Sequence, residues 1–118
     1  MEPMKANHIH LHCRDLEVSK AFYKKWFELV DGPDYGDIVF VRSAEGFDLA
    51  LSADDDPAPL PPWFHWGFKL ATAQAVRDLL ARMQDSDVQI TKSLVDHDDL
   101  VMFRCADPDA HQIELYWE

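Results

Sequence analysis

A proline-rich stretch, Asp54-Asp55-Asp56-Pro57-Ala58-Pro59-Leu60-Pro61-Pro62, lies at mid-chain and holds four of the seven prolines. Proline removes a backbone donor and fixes φ, so the stretch reads as an extended linker rather than helix or sheet. It splits the chain near its middle, and the order of elements repeats on its two sides.

Ahead of the linker, His8-Ile9-His10-Leu11-His12-Cys13 alternates strictly, which predicts a strand over 8–14. Asp15 then stands in N-cap position for a helix over 16–27. Val18, Ala21, Phe22, Trp26 and Leu29 fall at helical spacing on one face of it. Val30-Asp31-Gly32-Pro33-Asp34 has turn chemistry. Strands over 38–42 and 47–52 follow, paired as a hairpin around Glu45-Gly46. Beyond the linker come a strand over 64–70, a Thr72 cap, and a helix over 73–84 with Val76, Leu79, Leu80 and Met83 on one face. Three strands, over 88–94, 100–105 and 112–117, complete that half.

The pattern is βαβββ twice: one α+β domain, residues 1–118, made of modules 5–53 and 63–118 joined by the linker 54–62. The letters echo as well. Val41-Arg42-Ser43-Ala44 resembles Phe103-Arg104-Cys105-Ala106, and the strands that follow match if the second turn is two residues longer. One repeat cannot cover its own sheet face, so the two must pack together, within a chain or between chains.

The net charge of −11, from 22 acidic and 11 basic residues, argues against nucleic acid or an anionic membrane as partner. No run has the anatomy of a signal peptide, and none is long and apolar enough to span a bilayer. Cys13 and Cys105 lie in apolar runs without finger or CxxC spacing, so they read as buried thiols of a reduced, cytoplasmic compartment.

The face opposite Ile9, Leu11 and Cys13 carries three imidazoles, which suit a site better than a solvated sheet. Superposing the halves relates His8 to His65, each opening the first strand of its half, and Glu114 to Ala50. Two histidines and one carboxylate on rigid strands match the ligand set of non-haem Fe(II) sites, and also suit Mn, Ni or Zn. Alanine at position 50 supplies no fourth ligand, which leaves coordination positions open, as in a catalytic site. Asp48 lies two residues back on the same face, within reach of a substrate.

Three stretches carry a family resemblance: His8-Ile9-x-Leu11-x-Cys13-x-Asp15-Leu16-x-x-Ser19-x-x-Phe22-Tyr23, then His65-Trp66-x-Phe68, then Asp107-Pro108-Asp109-Ala110-His111-x-Ile113-Glu114-Leu115. Together they resemble the vicinal oxygen chelate superfamily, the group of glyoxalase I, extradiol dioxygenases, fosfomycin-resistance enzymes and bleomycin-resistance proteins. The resemblance implies paired βαβββ modules curled into an incomplete β-barrel with the helices outside. It implies a divalent metal on His8, His65 and Glu114. It also implies a small-molecule substrate, and a homodimer in which each site draws on both chains. Glyoxalase I has a ligand where Ala50 stands. Bleomycin-binding members lack the ligand histidines that this chain retains.

The remaining polar candidates keep two readings each. His10 is a proton-transfer group or a lining residue. Tyr116 donates to a substrate oxygen or sits as a barrel-rim residue. Trp63, Phe64 and Trp66 wall a substrate pocket or pack a core. His12, His97 and His111 read as structural or solvated. The expected function is a metal-dependent enzyme that binds two adjacent substrate oxygens, with dioxygenase- or glyoxalase-like chemistry. The alternative is a non-catalytic protein that binds or sequesters a small molecule.

Overall fold

Capping decides where the helices begin. In the structure, a computed structural model that describes residues 2–118, strand β1 spans His8–Cys13 and helix α1 spans Leu16–Phe27. The Asp15 carboxylate accepts from the backbone N–H of Glu17 at 3.0 Å and Val18 at 3.1 Å, satisfying two donors that the first helical turn leaves unpaired. The helix closes at Glu28, which takes the left-handed conformation with φ 58°. Strands β2 (Val30–Asp34), β3 (Ile38–Arg42) and β4 (Asp48–Ala53) follow. They form one sheet in the order β1-β4-β3-β2, with β1 parallel to β4 and the others antiparallel.

The second set repeats this plan. Strand β5 is Trp66–Lys69, helix α2 is Ala73–Gln84, and β6 (Ile90–Asp96), β7 (Val101–Ala106) and β8 (Gln112–Trp117) complete it. The sheet order is β5-β8-β7-β6, again with one parallel pair, β5 with β8. Thr72 caps α2 by accepting from the Ala75 N–H at 3.0 Å. His8 precedes its cap by seven residues (8 to 15) and His65 precedes its own by seven (65 to 72), and both helices have 12 residues. The chain divides into two compact units, Met1–Ala58 and Pro59–Glu118.

Each helix packs on one face of its own sheet, α1 over β3 and β4, α2 over β7 and β8. In the first unit Leu11, Cys13, Tyr23, Val39, Val41, Leu49 and Leu51 are buried in that layer. Val76, Met83, Phe103, Cys105, Ile113 and Leu115 are buried in the second. At ~25 cal/mol per Å² of apolar surface removed from water, these two layers supply the main driving force for each unit.

Several sequence expectations change. Strand β5 begins at Trp66, so His65 lies one residue ahead of it rather than opening it, and β6 begins at Ile90, two residues later than expected. Val30–Asp34 is a strand, not a turn. It lies at the sheet edge, where Pro33 is tolerated, and a bulge between Asp31 and Asp34 absorbs the irregular letters. The buried face of α1 is Ser19, Tyr23 and Trp26, whereas Val18 is 51% exposed. Small Ser19 lets the helix approach the sheet, so the stripe is rotated from the one that hydrophobicity alone predicts. Finally, Arg42 pairs with Asp48 and Arg104 with Glu114, while Ala50 pairs with Phe40. The two arginines that look alike in sequence are therefore two residues out of structural register.

Candidate metal and substrate site

The alternation of β8 buries Ile113 and Leu115 against α2 and places Gln112, Glu114 and Tyr116 on the opposite face. Gly67 on β5 is the register partner of Glu114, and a Cβ there would collide with the Glu114 backbone carbonyl. Absence of a side chain thus lets β5 press against β8 and brings His65, two residues earlier, alongside the carboxylate. His65 Nε2 stands 3.7 Å from Glu114 Oε1.

The other ring nitrogen settles the tautomer. His65 Nδ1 lies 3.0 Å from the backbone carbonyl of Trp63, which can only accept. Nδ1 therefore carries the proton, and in the neutral ring the lone pair sits on Nε2, facing Glu114. At 3.7 Å the two are too far apart for a hydrogen bond. A divalent cation, if bound, would be held by these two side chains and would supply Lewis acidity there. A bare imidazole nitrogen beside a carboxylate, with its far side anchored to a carbonyl, fits a divalent metal.

Glu114 has a second neighbour. Arg104, its register partner on β7, donates from Nε to the same Oε1 at 3.2 Å. Both side chains are about one-fifth exposed. Tyr116 shares this face two residues along, opposite Lys69 on one side and Met102 on the other. Trp66 does not share it. Trp66 pairs with Ile113 on the helix-side face and packs against Phe68 with ring centroids 5.0 Å apart. Trp63 is 73% exposed and meets Phe64 at 6.2 Å. His111 is buried in the β7–β8 turn, where its backbone N–H donates to Asp107 at 2.9 Å. His97 is exposed in a loop.

In the first unit, His8 is exposed and opposite Asp48 in register. Its Nδ1 is 2.9 Å from the Asn7 side-chain oxygen, which again leaves Nε2 as the open nitrogen. Arg42 grips Asp48 through two contacts, at 2.6 and 3.2 Å, and its guanidinium holds that carboxyl below the usual carboxylate range. His10 Nε2 is bonded to the Ser52 hydroxyl at 2.7 Å. His12 Nδ1 meets Asp54 at 2.9 Å, and the His10 and His12 rings lie 5.4 Å apart. Among the described residues, no cluster of three or more His, Cys, Asp and Glu side chains suited to a metal is gathered. The second unit brings together two of the expected ligands, His65 and Glu114.

No local pattern in the sequence gives Arg104 or Ser52 a role at the site. Arg104 sits ten residues before Glu114 (104 to 114), and its role follows only from the hairpin register. A signal for Gly67 did exist: a glycine between two aromatics inside a strand marks close backbone approach.

The sequence profile of the Glyoxalase/Bleomycin resistance protein/Dioxygenase superfamily matches residues 5–115. The chain belongs to that superfamily. A possible glyoxalase from Bacillus cereus is similar in structure at 23% identity, with a TM-score of 0.82 over 96% of this chain and 98% of that one. A genomically encoded fosfomycin resistance protein from Listeria monocytogenes is similar at 18% identity and a TM-score of 0.84, over 99% and 95%. A lactoylglutathione lyase from Agrobacterium tumefaciens is similar at 18% identity and a TM-score of 0.77, over 99% and 96%. At such identities these likenesses concern the fold, which is the α+β fold of the glyoxalase superfamily. No curated protein matches the chain. Among the described residues, no helix is long and apolar enough to cross a membrane.

Proposed function

We propose that this glyoxalase-superfamily chain is a metal-dependent enzyme of the vicinal oxygen chelate type. In this reading His65, Glu114 and His8 hold a divalent Fe, Mn, Ni or Zn ion, and the substrate is a small molecule with two adjacent oxygens. The observation that carries it is the bare Nε2 of His65 facing the Glu114 carboxylate across 3.7 Å. His8 belongs to the first unit, of the same chain or of a second copy in a homodimer.

When bound, such an ion supplies Lewis acidity to the two substrate oxygens. The chain does the rest. The Trp63 carbonyl keeps the His65 proton on Nδ1, and Arg104 orients Glu114. The phenol of Tyr116, on the Glu114 face, is placed to donate to a substrate oxygen on which charge develops. His10, poised on the Ser52 hydroxyl, is the candidate to move a proton, and Asp48 and Trp63 are candidate substrate contacts. A cytoplasmic location fits the two buried thiols.

Elemental analysis of freshly purified protein tests this. Near-stoichiometric metal, lost in Glu114→Ala and in His8→Ala, is expected. Unchanged metal content in both variants, or none taken up by the native chain on titration, would sink the reading. One observation favours a second reading, a metal-free binding protein: Arg104 already neutralises Glu114. Ligand binding that survives chelation would favour it.

A further inference from the structure

The Glu114 face of the second unit is basic, in a chain whose net charge is −11. Strands β5 to β8 contain two acidic residues, Asp96 and Glu114. Asp96 pairs with Val101, a helix-side position, and is held by Arg77 of α2 at 2.8 and 2.9 Å. Glu114 is therefore the one strand carboxylate on its face among the described residues. Around it stand three cations: Arg104 directly across β7, Lys92 opposite Arg104 on β6, and Lys69 on β5 opposite Tyr116. Both lysines are exposed.

Arg104 meets Glu114 through Nε alone. Among the described residues its two terminal nitrogens, Nη1 and Nη2, have no hydrogen-bond partner. A guanidinium pinned at Nε with its outer edge unused matches a planar carboxylate, which can accept two parallel N–H bonds. Adding a dipositive ion beside Glu114 leaves this face more positive still. A neutral substrate leaves that excess in place, and an anionic one offsets it.

We propose that Arg104 is a specificity-determining residue and that the substrate of this site carries a carboxylate, bound by the Arg104 fork and attracted by Lys69 and Lys92. The inference rests on the metal-site reading and narrows its substrate class. It also couples two bindings: a carboxylate on Arg104 raises metal affinity, and metal raises carboxylate affinity, by the same factor.

The test compares catechol with 3,4-dihydroxybenzoate on the zinc-loaded protein by titration calorimetry. Both offer two adjacent oxygens, and one adds a carboxylate. The native protein is expected to prefer the carboxylate by about tenfold or more. That ratio should fall to about one in Arg104→Gln and stay intermediate in Arg104→Lys. Using the ratio cancels any general loss of binding in the variants. A ratio near one in the native protein, or an undiminished ratio in Arg104→Gln, overturns the proposal. Zinc uptake is measured separately by elemental analysis, so a failure of the metal reading is visible by itself. In that case the same pair is run on metal-free protein, where an Arg104-dependent preference supports the inference and its absence overturns it.

Discussion

Gly67 faces Glu114 across the β5–β8 ladder so closely that no side chain fits between them. A methyl group there would push β5 off β8 and carry His65 away from the carboxylate. Gly67→Ala is expected to cost about 1–3 kcal/mol of stability, the usual range for overpacking. Urea unfolding checks this, and a native-like midpoint would show that the strands can part without loss.

The acid side of the stability profile should depend on Asp48. Arg42 lowers its folded value below the ordinary 3.8. Its stabilising contribution is therefore complete above the ordinary value and disappears as pH falls through the lowered one. Asp48→Asn should flatten the decline of the urea midpoint below about pH 4. An unaltered slope would mean that other carboxylates carry the transition; Asp31, Asp54 and Asp96 are lowered likewise by Lys24, His12 and Arg77.

Neither cysteine should react in the native protein. Cys13 and Cys105 are 1% and 0% exposed, and burial pushes the Cys105 thiol up to about 12. The thiolate is the reactive form. At pH 8 a colorimetric thiol reagent should find none in the native state and two in urea. Rapid labelling without denaturant would contradict the packing of β1 or β7.

Both caps should matter alike. Asp15→Ala and Thr72→Ala each remove a side-chain acceptor from a helix start. Each is expected to lower stability by about 1 kcal/mol. Helical circular dichroism together with urea midpoints would read the effect.

Both helices are legible from their letters because Asp15 and Thr72 announce them; the predicted spans 16–27 and 73–84 are the observed ones. Strand β2 is not legible. Gly32 and Pro33 signal a turn wherever they occur, and only pairing with β3 makes Asp31 and Asp34 strand residues. Gly32 packs closely on Phe40, a contact no local pattern reveals. His65 and Glu114 stand out by residue type, and their proximity adds what chemistry alone could not. Arg104 stayed hidden because its partner is set by the hairpin register, and the likeness of Arg42 to Arg104 pointed to the wrong register. Trp66 illustrates the converse. It neighbours His65 in sequence, yet alternation turns it toward the helix side.

The contact that fixes the His65 tautomer ends on the main-chain oxygen of Trp63, not on its indole. Every amino acid supplies that oxygen. A saturation scan at position 63 would thus report on the exposed ring and pass over the anchor. Part of what makes this histidine useful is written in the path of the chain, where single substitutions leave no trace.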